Sequence, residues 1–429
     1  MFKGQAFFLV FFFTSNIVYA DTASPNHRES LSEVNGFFDF RLGARTQIDP
    51  NEKSMSLGEL RVQLETEKEV EQYTINIAVD FVYDYIAKQY VVDLERGEGI
   101  VDLRHANIEF TPLDYLDIKI GRQILTWGTG DLLFINDLFA KDWVSFLIGR
   151  DTEYLKAPTN AVKASFFSET INMDIVYSPK FVADRFISGK RVSFFDREQS
   201  IRRGENNAIE VERPDNIFND DELALRFYKT FDVNEVALYY YDGFWKSPAG
   251  KNAISGNMVF PKLKVMGASI RGPVLSGIAN LEVGYYKSES EAKNNPLVRN
   301  SEIRFLAAYE QELATELTGG FQYYLEKKLN YENYFNSLPV SSLKDDKYRY
   351  VISFRLTKLL LQQNLKLSFF NFYSTSDRDG YLRFNAQYKI SDGFRIEGGI
   401  NEFYGRKQHT FYSQFKNNSN VYSALRYEF

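Results

Sequence analysis

From Gly36 to the last residue, the chain is dominated by segments in which apolar and polar residues alternate one by one. In the segment 381–390, apolar or aromatic side chains alternate with polar ones, including the cations Arg383 and Lys389. Alternation with a period of two predicts strands whose two faces meet different surroundings. A soluble sandwich would place the apolar face in its core, whereas a membrane barrel would turn it toward lipid and the polar face toward a wet lumen.

The lengths of the connections favour the barrel. The predicted strands are 36–46, 56–66, 72–83, 102–111, 115–121, 160–168, 171–178, 221–230, 234–243, 258–271, 276–287, 300–311, 315–327, 347–358, 363–375, 380–389, 394–403 and 419–429. Long and tight connections alternate between them, with the short segment 376–379 as the one exception. Short turns at one end and long loops at the other are typical of outer-membrane barrels. We therefore predict an all-β fold, a closed antiparallel transmembrane barrel of about 18 strands (16–18), with both chain ends on the periplasmic side.

Composition excludes several other classes of protein. The chain has no Cys and only three His, and 57 Asp and Glu outnumber 51 Lys and Arg. Disulfides, thiolate metal sites and Cys nucleophiles are therefore excluded, and the acidic balance argues against a nucleic-acid partner. Beyond the first twenty residues no apolar run is long enough for a membrane helix. No metal site and no cofactor are predicted.

The N-terminus predicts export. Lys3 precedes a short apolar core at 6–13, and Val18-Tyr19-Ala20 is a small-residue cleavage site. This pattern is typical of a signal peptide, which we assign to 1–20. Residues 21–35 are then a short periplasmic segment and 36–429 the barrel. Together with the absence of Cys and the abundance of Phe and Tyr, export favours the outer membrane of a Gram-negative bacterium.

The end of the chain adds a second sign of the same location. The segment 421–429 alternates and stops on Phe429. A final amphipathic strand with a terminal aromatic residue resembles the signal that the outer-membrane assembly machinery reads, which predicts that machinery as a partner, beside membrane lipid and lipopolysaccharide. Aromatic clusters near strand ends fit interfacial girdles; they are Tyr239-Tyr240-Tyr241, Tyr285-Tyr286, Tyr323-Tyr324 and Phe372-Tyr373.

The third long connection, 122–159, is unlike the other loops. It is apolar and carries two of the three Trp residues. An exposed loop of that composition would be an aggregation hazard, so we predict that it folds into the barrel as a constriction loop, with its charged side chains facing water. Its proposed functional residues are Arg122, Trp127, Asp131, Asp137, Lys141, Asp142 and Trp143. The alternative is a structural plug or a cap on the rim.

A short motif in this loop carries a family resemblance. Gly121-Arg122-Gln123 followed by Trp127-Gly128 and Asp131 resembles the GRQ…WG…D pattern of the alginate-export and related uncharacterised outer-membrane porin-like families. The resemblance is sharp only over this stretch, and it implies a porin-like channel more than any particular solute.

The polar face of the last five strands is predominantly basic. Its cations form a set that we name the basic arc: Arg349, Arg355, Lys366, Arg383, Lys389, Arg395 and Arg426. The early strands carry more acids on the same face, so a field would cross the lumen and concentrate charged solutes. Since guanidinium groups bind carboxylates bidentately, the arc predicts a preference for anionic or carboxylated small solutes. The alternative is that these charges only solvate the lumen and pair across strands.

The function predicted from these features is an outer-membrane porin for passive or substrate-selective diffusion of small hydrophilic solutes. The alternative is a structural or adhesion barrel whose pore is occluded by 122–159, with the loop 179–220 as a solvated mixed-charge face. An enzyme is not expected, because His105 is the only His in a predicted strand and no nucleophilic Ser turn accompanies it. Eighteen strands enclose a lumen wide enough for one channel, so monomer and trimer both stay open.

Overall fold

Eighteen antiparallel strands form one sheet in the computed structural model, which describes residues 33–87, 90–288 and 297–429. The strands, β1 to β18 in chain order, are Val34–Arg45, Met55–Val70, Tyr73–Asp84, Val101–Leu113, Leu116–Ile124, Pro158–Phe166, Asn172–Ser178, Glu222–Phe231, Asn234–Phe244, Lys262–Val274, Gly277–Ser288, Glu302–Ala314, Leu317–Lys328, Tyr348–Leu360, Leu365–Ser374, Asp379–Ser391, Phe394–Gly405 and Asn420–Glu428. Every predicted strand overlaps one of these, so the predicted fold class is confirmed. The predicted signal peptide, 1–20, lies outside the described residues.

The sheet closes on itself. β1 pairs with β18 from Phe37 opposite Glu428 to Arg45 opposite Asn420. Beyond the last strand, Gly36 and Phe429 exchange backbone hydrogen bonds of 2.9 Å in each direction. Closure gives every strand two neighbours, which is what a sheet needs when it has no water to satisfy an open edge.

The connections alternate as the sequence predicts. Turns of two to five residues join the strands at one end, and at the other end the loops are long except at 375–378. The loops carry the helices α1 (Trp143–Ile148) and α2 (Tyr331–Ser337) and the 3₁₀ turns Thr152–Leu155, Glu205–Asn207 and Ser413–Asn418. They also carry the short strands Val92–Asp93, Glu98–Gly99, Phe194–Asp196, Ile201–Arg203, Val211–Glu212, Gly250–Lys251 and Met258–Val259. No helix in the described part of the chain is both long and apolar enough to cross a bilayer.

The two faces of the strands have inverted exposure. In β1 the outward side chains of Phe38 and Leu42 are 46% and 41% exposed, whereas inward Asp39 and Arg41 are only 3% and 4% exposed. A soluble domain would bury the apolar side chains instead. The outer surface of this barrel is therefore suited to lipid and its interior to polar groups.

The aromatic clusters divide between the two faces, which corrects the prediction that they form girdles as a whole. Tyr285 and Tyr373 point outward and are exposed. Their neighbours Tyr286 and Phe372 point inward and are buried, as are Tyr239, Tyr241 and Tyr324. Side chains alternate along a strand, so only every second aromatic residue can reach the lipid interface. The inward ones pack against apolar loops that fill part of the lumen.

Candidate functional site

The third loop lies inside the barrel, as the sequence predicts. It comprises residues 125–157, which we call the inner loop, because 122–124 continue β5 and 158–159 begin β6. Its side chains Ile135, Phe139, Phe146 and Ile148 are buried and belong to the largest apolar cluster of the molecule. Burial of this apolar surface away from water stabilises the loop inside the barrel.

Arg122 therefore belongs to a strand and not to the loop. Its Nη2 donates to the carbonyl of Leu94 at 2.5 Å, and its Nε donates to the carbonyl of Leu103. The side chain therefore attaches the second outer loop, between β3 and β4, to the barrel wall.

Within the inner loop, Trp127 packs edge-on against Phe139, with ring centres 4.9 Å apart.

One buried carboxylate anchors the first half of the inner loop. Glu282, on the lumen face of β11, is 2% exposed. Its Oε1 accepts hydrogen bonds from the Thr129 and Gly130 amides at 2.5 and 2.8 Å and from the Thr129 hydroxyl at 2.8 Å. Its Oε2 accepts from the amide and side chain of Asn136 at 3.2 and 2.9 Å. Five donors from the loop thus converge on one side chain of the wall.

Next to this anchor, the loop exposes a charge to the lumen. Gln322 on β13 bonds to both the amide and the carbonyl of Asp131, at 2.9 and 2.8 Å. The Asp131 carboxylate pairs with Nη1 of Arg355 on β14 at 2.6 Å. Both side chains are more than a third exposed. This pair is a charged contact between loop and wall that remains in touch with water.

The second half of the inner loop binds the opposite wall. Arg150 pairs with Glu59 on β2 at 2.5 Å, nine strands away from β11 around the barrel. Glu153 pairs with Arg426 on β18 at 2.6 Å, and Asn420 donates to the carbonyl of Leu147 at 3.2 Å. The loop therefore spans the lumen from one side to the other.

Three charged residues of the inner loop are buried, contrary to the prediction that they face water. Lys141 and Asp137 pair at 2.9 Å and are 3% and 2% exposed. Asp142 caps α1 by accepting from the Ser145 amide at 2.7 Å. Each of them is satisfied by the protein itself, as buried charges must be.

The fourth loop, residues 179–221, also enters the barrel, although its mixed charge predicts a solvated face. Arg185 pairs with Asp102 on β4 at 2.7 Å and with Asp142 of the inner loop at 3.3 Å. Asp184 accepts from the Trp143 indole at 3.0 Å, and burial raises the pKa of its carboxyl above the ordinary value. These contacts join the two loops, while the rest of the fourth loop covers the mouth.

All seven residues of the basic arc lie on strands whose alternation directs them to the lumen, but they divide into two groups. Arg349 lies 3.4 Å from Asp377, Arg355 and Arg426 pair with the inner loop, and Arg383 donates to the Arg150 carbonyl at 3.3 Å. The second group, Lys366, Lys389 and Arg395, lies near the short-turn end, where Arg395 is the register partner of Arg426. Lys389 pairs with Asp392, and Arg395 pairs with Glu428 at 3.3 Å and lies 3.9 Å from Asp151 of the inner loop. Much of the arc is therefore compensated by carboxylates.

Sequence reasoning missed Glu282, Gln322, Glu59, Arg150 and Arg185. Glu282 could have been found from the sequence, since the other lumen-facing residues of β11 are all uncharged. The others are ordinary polar residues until the fold brings their partners near. In the described part of the chain, no group of His, Asp and Glu has the arrangement of a metal site.

The first outer loop contains a carboxyl that titrates near neutral pH. Burial, with Asp49 and Glu205 nearby, raises the pKa of Glu52 from 4.5 to about 7, against the opposing effect of Arg45 at 3.7 Å. A raised carboxyl pKa means that the loop is most stable while Glu52 is protonated and that this stability is lost as the pH rises through 7.

We therefore expect the first loop to open about tenfold more often at pH 8 than at pH 6. The rate of tryptic cleavage after Lys53 would measure how often the loop opens. At each pH, the rate for the wild type is divided by the rate for Glu52→Gln. The ratio cancels the pH dependence of trypsin. A ratio that stays constant over this range would contradict the assignment to Glu52.

Comparison with known proteins identifies the fold. No protein-family model matches the chain, and no curated protein is similar in sequence. Solved structures with the same fold include OccAB3 of Acinetobacter baumannii, with TM-score 0.55 and 9% identity over 93% of this chain and 99% of that one. OccAB4 of the same organism has a TM-score of 0.55 and 10% identity, over 94% of this chain and 99% of that one. OccK11 (OpdR) of Pseudomonas aeruginosa has a TM-score of 0.54 and 9% identity, over 92% of this chain and 95% of that one. The resemblance to the alginate-export family stays a prediction, and the chain shares the barrel fold of the Occ proteins.

Proposed function

We propose that the protein is an outer-membrane channel of a Gram-negative bacterium for passive or selective diffusion of small hydrophilic solutes, with a preference for anionic or carboxylated ones. The observation that carries the proposal is the inner loop, which crosses the lumen and presents the Asp131–Arg355 pair to water. A loop fixed at two walls can set the width and charge of a diffusion path. The barrel fold shared with the Occ proteins supports this role, and no catalytic step is proposed.

The preference for anions rests on the cations that keep contact with water. Lys366 is exposed on the lumen face of β15 and forms no ion pair with a described residue, whereas Arg395, 29% exposed on β17, is partly neutralised by Glu428. Low-dielectric walls would focus the field of Lys366 on passing solutes. We also infer that the terminal strand ending in Phe429 is read by the assembly machinery and that lipid and lipopolysaccharide surround the barrel.

The test is the reversal potential of single channels of the refolded chain under a salt gradient. We expect anion preference, and Lys366→Glu should shift the potential toward cations. Lys358→Glu is the matched control, because Lys358 lies at the same end of the barrel but binds the carbonyl of Thr315 in a turn. Cation preference in the wild type that Lys366→Glu leaves unchanged would contradict the proposed selectivity.

The second candidate is a structural or adhesion barrel with an occluded lumen. Attachment of the inner loop to both walls and to the fourth loop favours it. A bilayer that stays silent, with protein that is folded by circular dichroism, would support this candidate over the channel.

A further inference from the structure

A cavity of about 1070 Å³ lies on the long-loop side of the inner loop. Leu132, Leu133 and Leu138 of the inner loop form part of its lining, and the loop ends of β12 to β14 contribute a second part. The fourth loop also contributes to the lining, so the cavity lies between the mouth of the barrel and its constriction.

One part of the lining is apolar. Leu132, Leu133 and Leu138 are only partly buried although they pack against the main apolar cluster. Trp143 and Trp245 lie in the same lining. Each Å² of apolar surface left in water costs about 25 cal/mol relative to burial. A solute with an apolar body would cover this surface, whereas a simple hydrated ion would not.

Another part of the lining is a cluster of paired charges beside Trp245. The Arg299 guanidinium lies 4.6 Å from the centre of the Trp245 ring and is 38% exposed. Its Nε and Nη2 donate to Glu302 at 2.5 and 3.1 Å, and Nη2 also donates to Glu326 at 3.4 Å. Arg304 donates to Glu302 through Nε and Nη2, at 3.1 and 2.9 Å.

This cluster has spare donors while its acceptors are in use. Both oxygens of Glu302 accept from guanidinium groups, and the second oxygen of Glu326 accepts from the Tyr324 hydroxyl at 3.0 Å. Among the described residues, Nη1 of Arg299 has no hydrogen-bond partner, since only its Nε and Nη2 donate to carboxylates. Because guanidinium can only donate, the polar group that completes this cluster at Nη1 of Arg299 is an acceptor, and an ionised carboxylate also matches the charge of the guanidinium.

We propose that the cavity is a binding site for amphipathic carboxylates, with the apolar body on Leu132, Leu133 and Leu138 and the carboxylate on Arg299. The role of the site in transport rests on the proposed channel function, but binding itself does not. The proposal adds an apolar requirement that the basic arc does not contain.

The Trp residues allow binding to be measured directly. The chain has three Trp, and two of them, Trp143 and Trp245, line the cavity. A bromine atom quenches indole fluorescence on contact, so the probe is 6-bromohexanoate, titrated into the refolded barrel. The comparison probes are bromoacetate, which lacks the body, 6-bromohexan-1-ol, which lacks the charge, and 6-bromohexyltrimethylammonium, which reverses it.

We expect saturable quenching by 6-bromohexanoate and only linear, collisional quenching by bromoacetate and the ammonium probe. Arg299→Gln should raise the half-saturation concentration of 6-bromohexanoate about tenfold and leave quenching by the alcohol unchanged. The matched control is Arg96→Gln, an exposed arginine of the second outer loop that pairs with Asp93. Leu133→Ser should weaken the carboxylate and the alcohol alike.

Linear quenching by all four probes, or equal saturation in wild type and Arg299→Gln, would overturn the proposal. Circular dichroism of each variant would identify a folding defect. If a variant fails to fold, the comparison of the four probes on the wild-type protein still decides the test. The channel function fails separately: saturable binding with a silent bilayer would retain the site and reject the channel. Conductance without saturable quenching would reject the site alone.

Discussion

Replacing Glu282 by Gln is expected to release the first half of the inner loop and to raise the mean single-channel conductance about twofold, with frequent brief steps between levels. The amide keeps one acceptor oxygen but turns an NH₂ group toward groups that donate to Glu282 in the wild type. The Thr129 hydroxyl and the Asn136 side chain can turn to accept, but at least one backbone N–H among those of Thr129, Gly130 and Asn136 loses its acceptor. Each buried donor left unpaired costs about 1–3 kcal/mol.

That cost is large relative to the free energies that separate loop conformations. About 1.4 kcal/mol changes a population ratio tenfold, so the displaced state of the loop becomes well populated. The barrel itself should persist, because the Glu282 side chain takes no part in the backbone ladder between β10, β11 and β12.

Bilayer recordings at fixed voltage would measure the effect. Glu310→Gln provides the matched control, since Glu310 is an exposed acid on the lumen face of the neighbouring strand β12. If Glu282→Gln had the conductance and current noise of the wild type, Glu282 would not be what holds the loop.

The fold could be predicted because its signals are local. Alternation in segments such as 381–390 indicates which side chains face lipid. The length of each connection indicates at which end of the barrel that connection lies. The inward position of the inner loop followed from its own apolar sequence, since no other place for it avoids exposure. None of these inferences requires knowledge of which distant residues meet.

The details of the candidate site are set by distant pairs. Glu282 meets Thr129 across 153 residues of sequence, and Arg185 meets Asp102 across 83. A sequence of mixed charge does not show whether its side chains face water, as predicted for the fourth loop, or pair with each other. Burial of Asp137 and Lys141 was missed for the same reason, because a salt bridge at a spacing of four residues is compatible with either environment.

The Asp131–Arg355 pair is expected to control the charge selectivity of the channel with little effect on its stability. The two groups are 2.6 Å apart and more than a third exposed. Exposed pairs of this kind contribute about 0–1 kcal/mol to folding, so either residue can be replaced without loss of the barrel. Arg355→Glu replaces a neutral pair by two negative charges beside the diffusion path and should shift the cation-to-anion permeability ratio about fivefold toward cations.

Asp131→Asn should act in the opposite direction, because it leaves Arg355 uncompensated and strengthens the preference for anions. The double variant Asp131→Arg with Arg355→Asp restores a neutral pair in reversed orientation and should return the permeability ratio toward the wild-type value. Reversal potentials under a salt gradient give all three ratios, and raising the salt concentration should reduce the differences, since screening shortens the range of the field. Equal ratios in the wild type and both single variants would mean that permeant ions follow a path away from this pair, and the inner loop would then shape the channel without selecting charge.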